Sequence, residues 1–400
     1  MTDFDIMIIG ASPAGSAAAY FLAKAGVAVC IVDKASFPRD KTSGDWLKLS
    51  SLAVLNRMGL DEWVDQYKAP DTILVSSPDH SAVEVTLPQI VDRTRIIPHL
   101  ELDNRLLAQA QDAGAELLEE TIPIALNGLG TKTVTLLFRS KQTDQPFKLN
   151  SKIIVAADGA NGSFTEQLGL IKDKPDLVSV RAYFEDVDTS DNLMSFHYDP
   201  GIMQGYGWIF PLNDNQVNVG LGTYAARTKQ QKNNLQNTLQ KFLFSNPHTK
   251  KRLGNGRMIG KVVGFPIRSS MGKSVPYADN IMVVGEAAGM VDPATGDGIG
   301  EAIESGEAAA QEALRALEAN NFSASQFAPY GNLLRKKYRI KHQTAAVMRN
   351  IVTYQAFLNR AIRRAQVDQR FALELCRTVL GHQPYTAMLS PRNLGSLILG

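Results

Sequence analysis

Gly10-Ala11-Ser12-Pro13-Ala14-Gly15 sets small residues and two glycines where one apolar run ends and an alanine-rich run begins. Binding a pyrophosphate needs a tight turn, close approach of backbone to phosphate, and N–H groups at a helix start aimed at the negative charge. Ser12 occupies the place of a middle glycine and is small enough to allow that approach. Asp33 closes the next apolar run about 20 residues on, where a carboxylate accepts from an adenosine ribose hydroxyl and disfavours a 2′-phosphate. The chemistry indicated is dinucleotide binding, with NAD and FAD both open and NADP disfavoured.

Two later motifs extend the pattern. Ile153-Ile154-Val155-Ala156-Ala157 ends in Asp158-Gly159, and Ile281-Met282-Val283-Val284-Gly285-Glu286 leads to Pro293-Ala294-Thr295-Gly296-Asp297-Gly298-Ile299-Gly300 before a helical run. A carboxylate just after a strand accepts hydrogen bonds from a polyol chain. A glycine-rich turn opening a helix offers N–H groups to an electron-rich ring.

Taken in order, the three motifs resemble those of the flavoprotein hydroxylase superfamily typified by p-hydroxybenzoate hydroxylase. Phe37-Pro38-Arg39-Asp40-Lys41-Thr42-Ser43-Gly44-Asp45 and Tyr206-Gly207-Trp208-Ile209-Phe210-Pro211 are similar to the loop and YxWxFP signature of its geranylgeranyl reductase branch. The resemblance implies FAD, held by Gly10, Ser12, Ala14, Gly15, Asp33, Lys34, Arg39, Asp158, Gly285, Glu286, Pro293, Gly296, Gly298, Ile299 and Gly300. Tyr206, Trp208 and Phe210 would line the substrate pocket, and alternate residues of one strand also share a packed face. Ser43 and Asp45 are the catalytic candidates. Glu286 replaces the family's Asp, and Ser43 the branch's Cys.

The activity implied is hydride reduction of a carbon–carbon double bond in a bulky hydrophobic substrate. O₂-dependent hydroxylation or epoxidation is the alternative on this scaffold, halogenation a weaker one, and flavin binding without turnover a reading of another class. Halogenases carry WxWxIP and a catalytic lysine; Tyr206 and Phe210 depart from that signature, and Lys68, the lysine nearest the expected region, reads as solvated surface. No second glycine-rich strand–turn–helix unit occurs, so NAD(P)H would bind transiently or a protein donor would supply electrons.

The elements that must position these residues follow from periodicity. Ile6–Ile9 and 27–32 read as buried parallel strands around a helix at 14–25, with further strands at 153–157 and 281–284. Helices are expected at 47–58, 100–113 and 301–316, and short antiparallel strands at 72–94 and 177–224. The fold class is α/β: a Rossmann-like FAD-binding domain (1–70, 95–172 and 272–324) with an inserted antiparallel-sheet substrate domain (71–94 and 173–271). A C-terminal helical region covers 325–400, whose stretch 368–399 shares the branch's character.

Composition narrows the class. Hydrophobic residues make up 44% and charged residues 20% of 400, which excludes a disordered chain. A formal charge of +2 argues against a dedicated nucleic-acid binder. Two cysteines, Cys30 and Cys376, fit a reduced cytoplasmic setting and no zinc site, and the six histidines, His197 and His248 among them, show no metal-ligand spacing. No apolar run is long enough to span a membrane. The charge is uneven: 330–370 holds ten Lys/Arg against the single acid Asp368. Such a segment is a solvated helix face, or one that meets an anionic or carrier-bound substrate head or a peripheral membrane surface.

Overall fold

Ile6–Ile9, Val29–Val32, Ile153–Ala156 and Ile281–Val283 are apolar throughout and wholly buried, so both faces must be covered. In this computed structural model, which describes residues 3–87, 94–202, 204–225, 234–269, 271, 274–388, 390 and 393, they form the centre of a six-stranded sheet. Across it run Tyr277–Ala278, Ile281–Val283, Ile153–Ala156, Ile6–Ile9, Val29–Val32 and Glu116–Leu118, all parallel except the Tyr277–Ala278 edge. Helix α1 (Pro13–Lys24) leaves the first strand, followed by α2 (Leu49–Arg57), α3 (His99–Asp112) and α4 (Ile299–Glu318). Gly306 lets α1 and α4 touch: a Cβ there would lie 2.2 Å from the Ala14 carbonyl oxygen.

A seven-stranded sheet carries the substrate side. Its order is Arg257–Ile267, Leu177–Glu185, Val217–Tyr224, Tyr206–Pro211, Leu193–His197, Thr72–Ser76 and Ala82–Thr86, antiparallel except where Leu193–His197 meets Thr72–Ser76. One face packs Phe196, Trp208 and Phe210 with Trp46, and the other packs Val180, Ile209 and Leu221 with Leu239 and Phe242. The chain ends in α5 (Ala324–Ile351), α6 (Gln355–Val367) and α7 (Gln369–Val379), as the helical reading of this region expects. The last part of that reading, 394–400, lies outside the described residues, as do 88–93 and 272–273 beside two expected boundaries.

One sheet was not expected. Thr121–Asn127, Val134–Ser140 and Pro146–Ser151 form an antiparallel meander whose Val134, Leu136 and Phe138 join the core of the parallel sheet. Its strands alternate only loosely, so periodicity is weak. The hairpin signal was Asn127-Gly128, with Gly128 at φ +86°. No helix among the described residues is long and apolar enough to cross a membrane.

Candidate active site

The first strand delivers the chain to Gly10 at φ +110°, where a Cβ would lie 2.4 Å from the Ala157 carbonyl oxygen. Gly15 is tighter still, its Cβ position being 1.9 Å from the Gly10 oxygen. Ser12 caps α1 with backbone only; its hydroxyl makes no cap hydrogen bond. The N–H groups of Ala14 and Gly15 in that first turn therefore have no acceptor within the helix. Asp33 braces the turn, accepting from Ala11 N at 2.8 Å and Ala35 N at 2.9 Å. Arg39 lies 3.7 Å from Asp33 and 3.2 Å from Asp103. Lys34 is exposed, and its backbone carbonyl accepts from Lys141 Nζ.

Asp158 is turned away from the cleft. Its carboxylate accepts from Thr165 N at 3.0 Å and from the Thr165 hydroxyl, locking the helix Ser163–Gln167, and burial pushes the carboxyl above its usual range. Gly285, at φ +60°, brings the third motif against α1, where a Cβ would lie 2.8 Å from Ala14 Cβ. Glu286 accepts from Lys41 Nζ at 2.9 Å, linking this motif to the loop after Asp33.

The turn Pro293–Gly300 opens α4 and forms one wall of a solvent-open cleft of about 1240 Å³. Gly296, at φ +68°, has nothing within 4 Å of its Cβ position, so a side chain there would intrude on the cleft. A Cβ at Gly298 would meet Val291 Cγ2 at 2.6 Å, and one at Gly300 would meet Ser50 Oγ at 2.8 Å. Buried ions hold the turn from behind. Asp292 accepts from Ala294 N at 2.8 Å and from the Tyr385 hydroxyl at 3.0 Å. Lys48 lies 3.1 Å from Asp297, and Lys341 binds Glu301 and lies 4.0 Å from Asp292. Burial pushes both aspartates up. For Asp292, Lys48, Lys341 and the neighbouring N–H groups outweigh burial and leave it below the usual range; for Asp297 burial wins over Lys48.

Across the cleft stand Tyr206, Trp208 and Phe210, on one side of their strand. The Tyr206 hydroxyl donates to the Thr295 carbonyl, joining this wall to the glycine turn. Trp208 fits because Gly220 has no Cβ; one would lie 2.2 Å from Trp208 Cζ2. The Trp208 indole N–H donates to Asn218 Oδ1 at 2.9 Å. A second cavity of about 880 Å³ shares Tyr206, Thr295, Arg349 and Val352 with the cleft and continues among Phe196, Met348, Leu358 and Met388.

The two catalytic candidates part company. Ser43 lines the cleft, its oxygen accepting from Asp45 N at 3.1 Å. Asp45 is fully buried behind that wall, at φ 61°. It accepts from His99 N at 3.0 Å, the Tyr183 hydroxyl at 2.7 Å and Asn218 Nδ2 at 2.7 Å. Burial raises its carboxyl above the usual range, opposed by Arg181 and these donors. Arg181, itself buried, donates to Asp40 at 2.6 Å and to the Lys41 carbonyl at 3.2 Å, with Tyr183 4.0 Å beneath its guanidinium. Asp45 thus ties the 40–45 loop to the sheet, and its side chain sits behind the cleft lining of Ser43, Gly44 and Trp46.

Sequence reasoning missed Lys41, Lys48, Arg181, Tyr183, Asn218 and Lys341. A signal existed for two of them: Arg181 and Asn218 sit in strands where every immediate neighbour is apolar or small, a place a charge or amide takes only with a partner. Lys68 is half-buried and donates to the Thr189 carbonyl at 3.2 Å, so it is not solvated surface, and it does not line the cleft. His197 is structural: buried, between Ser76 and Ser195 hydroxyls at 2.8 and 2.9 Å, and pushed down to about 3 by burial.

A glycine cradle, a helix start without a side-chain cap and an open cleft beside the glycine turn that starts α4, where Ile299 N donates to Asp297 Oδ1 at 3.4 Å, fit a flavin dinucleotide. The family model described as FAD binding domain matches residues 3–317. The chain belongs to that family. FAD is its cofactor, and this family member is an FAD-dependent oxidoreductase. It is 29% identical over 315 residues to a menaquinone reductase of Mycobacterium tuberculosis, covering 77% of this chain and 76% of that one. It is 27% identical to a digeranylgeranylglycerophospholipid reductase of Methanoculleus marisnigri, covering 85% and 86%. Its fold matches that of a geranylgeranyl bacteriochlorophyll reductase-like protein of Thermoplasma acidophilum with a TM-score of 0.79 at 24% identity, covering 90% and 91%.

Proposed function

We propose that this flavoprotein reduces a carbon–carbon double bond in a polyprenyl lipid. The observation that carries the reading is the continuity of the glycine-walled cleft with an apolar cavity, joined at Tyr206 and Thr295. A flat ring suits the cleft, and a branched hydrocarbon chain suits the cavity. The reductase names of the two curated relatives support the same substrate class.

Bound FAD supplies hydride transfer to a double bond. In this reading Gly10, Ser12, Ala14, Gly15, Asp33 and Arg39 hold the ADP half, and Gly285 and Glu286 the ribityl chain. Pro293, Gly296 and the N–H groups at Gly298 and Gly300 would hold the ring, where a helix start stabilises negative charge, and Ile299, whose N–H donates to Asp297 Oδ1, would line it. Lys34 and Asp158 have supporting roles, because one is exposed and the other is spent on Thr165. Tyr206, Trp208 and Phe210 exclude water and orient the chain. Ser43 Oγ contacts the substrate. The second hydrogen arrives as a proton, and Asp297, which lines the cleft and whose carboxyl burial raises above the usual range against Lys48, is the group assigned to supply it. The matching domain reading assigns 1–70, 95–172 and 272–324 to FAD, 71–94 and 173–271 to substrate, and 325–400 to the helical region. NAD(P)H or a protein donor would supply the electrons, in a cytoplasmic setting that two buried, unpaired cysteines favour.

Two substitutions test the roles. Trp208→Ala leaves FAD content unchanged and raises KM for the lipid about tenfold by removing the pocket wall. Loss of FAD instead would make Trp208 part of the cofactor site. Asp297→Asn lowers kcat about a hundredfold and flattens the alkaline limb of the kcat–pH profile, with FAD content kept. An unchanged profile would remove the proton role.

A further inference from the structure

Helix α5 buries Phe327, Leu334, Tyr338 and Ala345 on one face. Its opposite face is patterned and uncovered. Leu333, Ile340 and Val347 are 46%, 68% and 49% exposed, and Tyr354, just beyond the helix, is 69% exposed. Seven-residue spacing returns to nearly the same side of a helix, so the first three form a stripe about 21 Å long. The helix contains no Asp or Glu. Lys336 and Arg339 flank Ile340, exposed, and neither pairs with a carboxylate among the described residues, whereas Lys337 pairs with Glu304. An exposed apolar stripe bordered by unpaired cations is the pattern of a surface-lying helix. The same helix turns Met348 into the apolar cavity and Arg349 into both cavity and cleft, with Val352 just after it lining both.

We propose that the outer face of α5, from Leu333 to Val347 with Tyr354, docks on an anionic phospholipid membrane, beside the cavity that takes the lipid. The proposal rests on the polyprenyl-lipid reading for its purpose and on the stripe and its cations for its geometry. A second copy of the chain is disfavoured as occupant, because two such acid-free helices would bring like charges together. Insertion of Ile340 and Val347 and attraction of Lys336 and Arg339 act together at such a surface.

Flotation of the FAD-loaded protein with phosphatidylcholine vesicles, with and without phosphatidylglycerol, tests this. Binding is expected only to the anionic vesicles and is lost at high salt. Lys336→Ala with Arg339→Ala lowers partitioning about twenty-five-fold, roughly five-fold per charge removed. Ile340→Asp with Val347→Asp abolishes it, while both double variants keep their FAD and their turnover of a detergent-dispersed short polyprenyl substrate. Equal binding to neutral vesicles, binding indifferent to these substitutions, or a dimer in solution that Ile340→Asp with Val347→Asp dissociates would overturn the proposal. Anionic-vesicle binding in a protein that turns over no polyprenyl lipid would leave the surface standing and remove the substrate reading.

Discussion

Gly15→Ala is expected to raise the FAD dissociation constant at least a hundredfold. The added Cβ would lie 1.9 Å from the Gly10 carbonyl oxygen and 3.2 Å from Ala157 Cβ, so neither the turn nor the adjoining strand has room. The atom at 1.9 Å is backbone, and relief requires α1 to move away from the first strand. That movement misdirects the N–H groups of Ala14 and Gly15, whose only use is outside the helix. Overpacking of this kind costs about 1–3 kcal/mol before any ligand contact is lost, and a hundredfold loss of affinity corresponds to about 2.7 kcal/mol. Flavin fluorescence during titration of the apoprotein reads the constant, and circular dichroism checks that the variant folds. Unchanged affinity in a folded variant would mean that FAD does not use this turn.

Arg181→Met has a different signature, in which the loss grows with pH. Removing the buried Arg181 guanidinium takes away its contacts to the exposed Asp40 and to the Lys41 carbonyl, which loosens the 40–45 loop. Asp45 then keeps its burial but loses the cation that opposes it. Its folded-state carboxyl, already raised, rises further. A carboxyl raised on folding binds its proton in the folded state where the unfolded chain has released it, so stability falls as pH rises from about 4 toward the folded-state value. In the variant that fall extends to higher pH. Urea unfolding at several pH values should therefore show parallel losses just above about pH 4 and a gap between wild type and variant that widens only above the wild type's folded-state value for Asp45. A gap independent of pH would show that Arg181 acts through the loop alone.

These two residues mark what was readable in the sequence and what was not. Gly15 was legible because the phosphate turn is local: strand, glycines, helix and Asp33 lie within one short stretch. The same holds for Pro293–Gly300 and for the alternating Tyr206, Trp208 and Phe210. Arg181 was not legible, since its meaning depends on Asp40, Asp45, Tyr183 and Asn218, which meet only when the seven-stranded sheet closes on the 40–45 loop. The enclosure of Asp45 is not legible for the same reason: a carboxylate beside Gly44 reads as exposed loop chemistry until three donors enclose it. The ionic support behind the glycine turn draws Lys48, Asp297, Glu301 and Lys341 from three separated segments, and no spacing rule connects them. The helical tail was legible as helix, but the half-buried Lys341 and Arg349 facing inward and the apolar residues facing outward on α5 needed the packing to be seen.

The central claim is that this flavoprotein adds hydrogen to a polyprenyl double bond. The direct measurement is mass spectrometry of a polyprenyl quinone or polyprenyl glycerolipid incubated with the FAD-loaded protein and dithionite under strict anaerobiosis. The predicted product carries two added hydrogens at each reduced bond, takes deuterium from D₂O at both carbons because dithionite supplies electrons alone, and forms without O₂. No anaerobic product, together with incorporation of labelled oxygen when ¹⁸O₂ and reductant are supplied, would contradict the claim and assign the scaffold to oxygenation.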